Sequence, residues 1–253
     1  MPYITSAETA RSERKAIDVL GQTYHLSPYV GNAPTRGQYI PGNEKNDNGL
    51  PQGFLVEQPP NSVTPPHFHD HEQFQVFVGG SAYMGKQAAH PLSLHYVKGY
   101  TPYGPITAGS DGVKYFTLRA GWDSGAKYMP GSRDLLKKER RKHRMSVDVK
   151  IPSMDDLNLL AQPKQIDVMA VDKDGMGAYI FAIPEGVRVT LDTPSPAGGQ
   201  YGIVVAGIAI FDKEELFELS GLFRFRGEPS LEVTGGQGGA AILLMQFSND
   251  APS

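Results

Sequence analysis

The sequence contains no cysteine. Disulfides, thiolate metal sites and thiol nucleophiles are therefore excluded. No apolar run approaches the roughly 18 residues that cross a bilayer as a helix. The opening MPYITSAETARSERKAIDVL lacks the apolar core of a signal peptide. Charge of one sign is also missing: 24 Lys and Arg stand against 27 Asp and Glu, a net charge of -3. Such a balance gives no general attraction to nucleic acid or to anionic lipid. The expectation is a soluble cytoplasmic protein with neither a nucleic-acid nor a membrane partner. No serine sits in a nucleophile-elbow pattern. The glycines of TGGQGG do not precede a helical pattern, so they are not a phosphate cradle.

Turn formers, by contrast, are plentiful, with Gly 29 and Pro 20, which favours many short strands over long helices. Thr5 and Glu8 have capping-box spacing and Gly21 is a helix stop, so a short N-terminal helix is expected between them. An irregular arm follows over 22–52. GFLVEQP, QFQVFVGGSAYM, LSLHYV and VKYFTLRAGW then have the alternation and the Val, Phe and Tyr content of strands. PGSRDLLKKERRKHRMS, over 130–146, is expected to be a charged linker helix, with the basic run Lys137 to Arg144 on a solvated face. Beyond it IDVMAV, GAYIFAIP, VRVTLD, QYGIVVAGIAIF, LFRFRG, LEVTG and AAILLMQFS are again short strands. Three segments follow: 1–129, 130–146 and 147–253.

The two long segments repeat each other. One constant offset carries EQFQVFVGG onto GQYGIVVAG and PYGPITAGSDG onto PSLEVTGGQGG. It carries Gln73 onto Gln200, Gly80 onto Gly207, Leu92-Ser93 onto Leu219-Ser220, Pro102 onto Pro229 and Gly112 onto Gly239. Glycines and prolines at fixed positions place turns. Two units that share turns and strand order share a fold.

HFHDHEQFQVFVGG followed by PYGPIT resembles the two motifs of the cupin superfamily. With its degenerate second copy the chain resembles a bicupin. The fold class implied is all-β: two jelly-roll barrels in tandem, with the short N-terminal helix and the linker helix. In cupins a histidine pair, a glutamate and a final histidine surround a divalent metal inside the barrel. Carried over by position, His67 and His69 match the pair, Gln73 stands in the glutamate's place and Thr107 in that of the last histidine. On a strand His67, His69, His71, Gln73 and Gln75 share one parity, so His71 is a replacement ligand and Gln75 a second inward amide. Gln75, Thr107 and Tyr103 are the candidate cavity residues, with packing between sheets as the other role for Tyr103. His95 reads as a surface or satisfied core histidine.

Two functions stay open on this reading. One is a metal-dependent enzyme acting on a small organic substrate, by resemblance a quercetinase-like dioxygenase, or a lyase or isomerase. Its metal would be Fe, Mn, Ni or Zn, held by His67, His69, Gln73 and His71. The other is a non-catalytic small-molecule-binding or structural bicupin that has lost the full ligand set. Gln and Thr are weaker ligands than the residues they replace. In the second unit Pro194 and Pro196 replace the histidine pair, only Gln200 is kept, and the interior is expected to be apolar and structural. The resemblance also implies a homodimer with the N-terminal arm as an exchange element.

Overall fold

The computed structural model describes residues 2–193 and 198–249. Two compact units result: residues 13–149, and residues 1–12 together with 150–253. These boundaries differ from the expected ones at both joints. Tyr3–Thr5 is a strand that pairs with Gly221–Arg224 of the same chain, which places the first residues with the C-terminal barrel. His143–Ser146 is an edge strand on Leu94–Val97, which places the expected linker with the N-terminal barrel.

Each barrel is built on one antiparallel core of four strands. In the N-terminal unit the order is Leu94–Val97, Gln73–Met84, Ile106–Arg119, Gln52–Gln58, continued by Gln22–Val30 and Lys15–Val19. In the C-terminal unit it is Gly221–Arg224, Gln200–Phe211, Leu231–Gln246, Gly177–Ile183, continued by Lys164–Met169. The repeat therefore extends from turns to strand order. Alternate residues point inward, and each unit encloses its own apolar core. Phe54, Val56, Phe77, Ile106, Val113 and Tyr115 belong to the first. Phe181, Ile183, Val204, Leu222, Ile242 and Leu244 belong to the second.

Two helices depart from expectation. The N-terminal helix forms but ends at Ser12. Gly21 is a turn residue instead: Leu20 and Gly21 have φ 54 and 81, the pair of positive values that a two-residue hairpin needs. Over 130–146 there is no α-helix; Arg133–Leu135 is a single 3₁₀ turn and the rest is extended or irregular. Its charges are not set against an apolar stripe, so no face is available for burial. Among the described residues, no helix is long and apolar enough to cross a membrane.

Candidate functional site

The first motif forms a short strand, His67–Phe68, tied to the opposite motif by reciprocal backbone hydrogen bonds between His67 and Tyr103 of 3.0 and 2.9 Å. Both His67 and His69 are buried, at 4% and 7% exposure, with rings 5.1 Å apart. His67 Nδ1 lies 2.8 Å from the Pro65 carbonyl. A carbonyl only accepts, so Nδ1 carries the proton and Nε2 keeps a lone pair. His69 Nδ1 lies 2.7 Å from Asp123 Oδ1, which fixes the same tautomer. A carbonyl or carboxylate partner on the rear nitrogen is the usual orientation of a metal-binding imidazole.

The position in front of His69 is taken by a side chain. Arg119 Nη2 lies 3.1 Å from His69 Nε2. Arginine has no acceptor atom, so the ring nitrogen accepts. The same guanidinium donates through Nε to Gln73 Oε1 at 2.9 Å and through Nη1 to Gln52 Oε1 at 2.5 Å. Gln73 then donates through Nε2 to the Tyr103 hydroxyl at 2.6 Å. Strand register explains the assembly. Arg119 stands directly opposite both Gln73 and Gln52, on adjacent strands and on one face.

Asp123 supplies the countercharge. Its Oδ2 accepts from the Asp70 amide at 2.9 Å and its Oδ1 also from the Gly125 amide at 2.9 Å. Burial alone would raise this carboxyl, yet His69, Arg119 and Lys127 hold it well below the usual range. Lys127 is itself paired with Asp70 at 2.5 Å. His67 is pushed down to about 3, first by burial and then by His69 and Arg119. His69 is lowered by burial and Arg119. Both rings are therefore neutral near pH 7, and the Tyr103 hydroxyl, raised by burial, keeps its proton.

These groups border a cavity of about 80 Å³. Its polar end holds His67, His69, Gln75, Tyr103, Arg119 and Asp123, and its apolar wall includes Ile17, Val19, Phe54, Val56 and Tyr115. Arg36, exposed at the surface, also contributes. Two arginines against one aspartate leave the lining with a net positive charge. Among the candidates from the sequence, His67, His69, Gln75 and Tyr103 come together at this cavity. Gln73 stands behind Arg119. Two candidates do not join them. Thr107 lies outside the lining because its neighbour Ile106 takes the inward position on an alternating strand. His71 is half-buried and does not line the cavity. His95 is a satisfied core histidine, with Nδ1 2.9 Å from Gln75 Oε1.

The donor set does not fit a divalent ion. The inner lone pair of His69 and the carbonyl oxygens of Gln73 and Gln52 already accept from Arg119. No carboxylate joins the two imidazoles as a ligand, and among the described residues no group of three His, Asp or Glu is arranged to hold a metal. Arg119 and Asp123 were not singled out in the sequence. Inward parity on the strand that ends in TLRAGW is the signal that finds Arg119. In the second unit, Pro194 and Pro196 lie outside the described residues.

No family model matches the sequence, and no curated protein matches it either. Solved structures do match in fold. A candidate dioxygenase from Nostoc punctiforme superimposes with a TM-score of 0.65 at 10% identity, over 99% of this chain and 84% of the other. A bacterial pirin from Escherichia coli, in complex with nickel(II), gives 0.56 at 12% identity over 98% and 99%. A salicylate 1,2-dioxygenase from Pseudaminobacter salicylatoxidans gives 0.54 at 10% identity over 97% and 84%. At such identities the likeness is one of fold. The internal repeat, the matching strand order and these neighbours give the chain the tandem jelly-roll architecture of the bicupins.

Proposed function

We propose that the N-terminal barrel binds a small organic anion, and that the Arg119 guanidinium stands where cupins of the metal-dependent kind hold their ion. The observation that carries this reading is the set of hydrogen bonds from Arg119 to His69 Nε2, Gln73 Oε1 and Gln52 Oε1. A fixed, buried cation at the end of an apolar pocket is a receptor for a carboxylate or enolate. Tyr103 adds a hydroxyl proton and His67 Nε2 a lone pair. With its basicity depressed to about 3, His67 is an acceptor of ligand hydrogen bonds rather than a base for proton abstraction near neutral pH. A cavity of about 80 Å³ is well below the ~300–1,000 Å³ that encloses a drug-sized ligand, so the ligand is smaller than a flavonoid.

The orientation of both histidines by Pro65 and Asp123 favours a second reading, a metal-dependent enzyme of the quercetinase-like dioxygenase type. It requires Arg119 to leave its three acceptors. Metal analysis of the protein, purified without chelator after growth with added iron, manganese, nickel and zinc, separates the two. The anion-binding reading expects metal far below one equivalent, and calorimetric binding of a short carboxylate such as pyruvate that Arg119→Gln weakens at least about tenfold. Stoichiometric metal that disappears in His67→Ala/His69→Ala overturns it in favour of the metal-dependent enzyme.

A further inference from the structure

Of the two neighbouring imidazoles in the N-terminal barrel, only one is paired at both nitrogens. His69 Nδ1 bonds Asp123, and its Nε2 accepts from Arg119. His67 Nδ1 donates to the Pro65 carbonyl, and among the described residues nothing donates to its Nε2. The rings packed around His67 are engaged elsewhere. The Tyr103 hydroxyl is bonded to Gln73, and the Tyr128 hydroxyl donates to the Gly37 carbonyl at 2.9 Å. A buried acceptor left without a donor costs about 1–3 kcal/mol. The cavity that His67 lines is where a donor can enter.

A second atom, of opposite sign, is also unmatched. Gln75 follows Gln73 by two residues on one strand, so the two share a face. Its Oε1 accepts from His95 Nδ1 at 2.9 Å, and among the described residues its amide nitrogen has no acceptor. Gln75 is 2% exposed and lines the same cavity. The Tyr103 ring packs against His67 at 4.5 Å and against His95, the partner of Gln75, at 5.3 Å. The unmatched acceptor and the unmatched donor therefore belong to the same end of the cavity.

We infer that the anion held in this barrel is a short 2-hydroxy acid, whose hydroxyl donates to His67 Nε2 and accepts from the Gln75 amide. The inference rests on the reading of this cavity as an anion receptor and names the class of anion. A hydroxyl both donates and accepts. A 2-oxo group only accepts, and leaves His67 unmatched. An ammonium only donates, leaves Gln75 unmatched, and adds positive charge to a lining that already holds Arg119 and Arg36. An unsubstituted acid serves neither atom. The remaining substituent on C2 has Phe54 and Val56 to pack against. A benzene-sized guest takes about 150 Å³, so a cavity of about 80 Å³ limits that substituent to about one or two carbons. Carboxylate, hydroxyl and alkyl group are then held at three separate places, which makes the site handed.

The test is calorimetric titration of the full chain with L-lactate, D-lactate, pyruvate, propionate and alanine, five acids on one three-carbon skeleton. One lactate enantiomer is expected to bind at least about tenfold tighter than its mirror image and than pyruvate, propionate or alanine. His67→Phe keeps an aromatic ring and removes the lone pair. In it the favoured lactate falls to within about twofold of pyruvate, while pyruvate affinity is unchanged. Should His67→Phe not fold, the comparisons on wild type decide. Pyruvate bound as tightly as lactate, or the two enantiomers bound alike, overturns the inference, as does a lactate preference that survives in folded His67→Phe. In each of these cases the anion-binding reading stands, provided that Arg119→Gln weakens pyruvate. If none of the five acids binds, the anion-binding reading fails and the inference fails with it.

Discussion

Arg119 and His69 meet at 3.1 Å, with the guanidinium Nη2 on the ring nitrogen that faces into the barrel. A cation and a neutral imidazole thus share the centre of the site, and Asp123 on the far side of the ring completes a relay of charge, dipole and charge. Replacing Arg119 by Leu leaves the acceptors of Gln73, Gln52 and His69 buried without a donor. The expected loss of unfolding free energy is about 3–5 kcal/mol, the usual result of breaking one side of a buried charged network. Arg119→Lys recovers only part of it, because an ammonium has no planar fork with which to reach three divergent acceptors. Urea denaturation of the three proteins checks the order. A loss below about 1 kcal/mol in Arg119→Leu would mean that the network contributes little.

Tyr103 makes a narrower prediction. Its hydroxyl accepts from Gln73 Nε2 at 2.6 Å, so Tyr103→Phe strands one amide proton in a buried setting. About 1–3 kcal/mol of stability should be lost. The same variant should weaken anion binding in the N-terminal barrel, since Tyr103 lines the cavity. Thermal unfolding together with calorimetric titration of pyruvate measures both effects on one preparation. Unchanged affinity would remove Tyr103 from the ligand's partners.

The barrels were legible in the sequence because turns and strands obey local rules. Gly80 and Gly207, and Gly112 and Gly239, occupy matching turns, and alternation on QFQVFVGG and QYGIVVAG marks the inner faces. The site was only half legible. His67 and His69 announce themselves by spacing and Tyr103 by its place in the second motif. Arg119 and Asp123 become visible only through strand pairing and a loop closure. The misread segment 130–146 shares this cause. Charge density alone resembles a solvated helix, yet with Leu135, Leu136 and Met145 scattered there is nothing to dock, and His143–Ser146 gains more by completing a sheet edge.

The repeat itself can be tested through two glycines. Gly80 has φ +67, and a Cβ there would lie 2.1 Å from the Gly112 carbonyl oxygen. Gly207 has φ +71, with a Cβ 2.2 Å from the Gly239 carbonyl oxygen. Each Ala substitution adds a backbone collision to the left-handed strain of about 1–2 kcal/mol. Gly186, at φ +70 with no atom within 4 Å, carries the strain alone. Gly80→Ala and Gly207→Ala should therefore destabilise by similar amounts, each at least about twice the effect of Gly186→Ala. Unequal losses at the two matching turns would show that the barrels do not depend on them alike.

His95 predicts how stability follows pH. It is 1% exposed, and burial, followed by the nearby charge of His143, pushes it down to about 3. Gln75 accepts from it and the Tyr103 ring lies 5.3 Å away, so no carboxylate stands ready to favour its protonation. In the unfolded chain the same imidazole titrates near its ordinary value of about 6.5. Between those two values the unfolded state binds a proton that the folded state refuses. Stability therefore rises with pH across this window and is flat, for this group, above it. The slope from one such histidine is at most about 1.4 kcal/mol per pH unit. Chemical denaturation of wild type and His95→Gln at pH 7, 6 and 5 should show the variant less stable at pH 7, with a shallower decline towards pH 5. Parallel curves for the two proteins would mean that His95 gains its proton in the folded barrel as easily as in water.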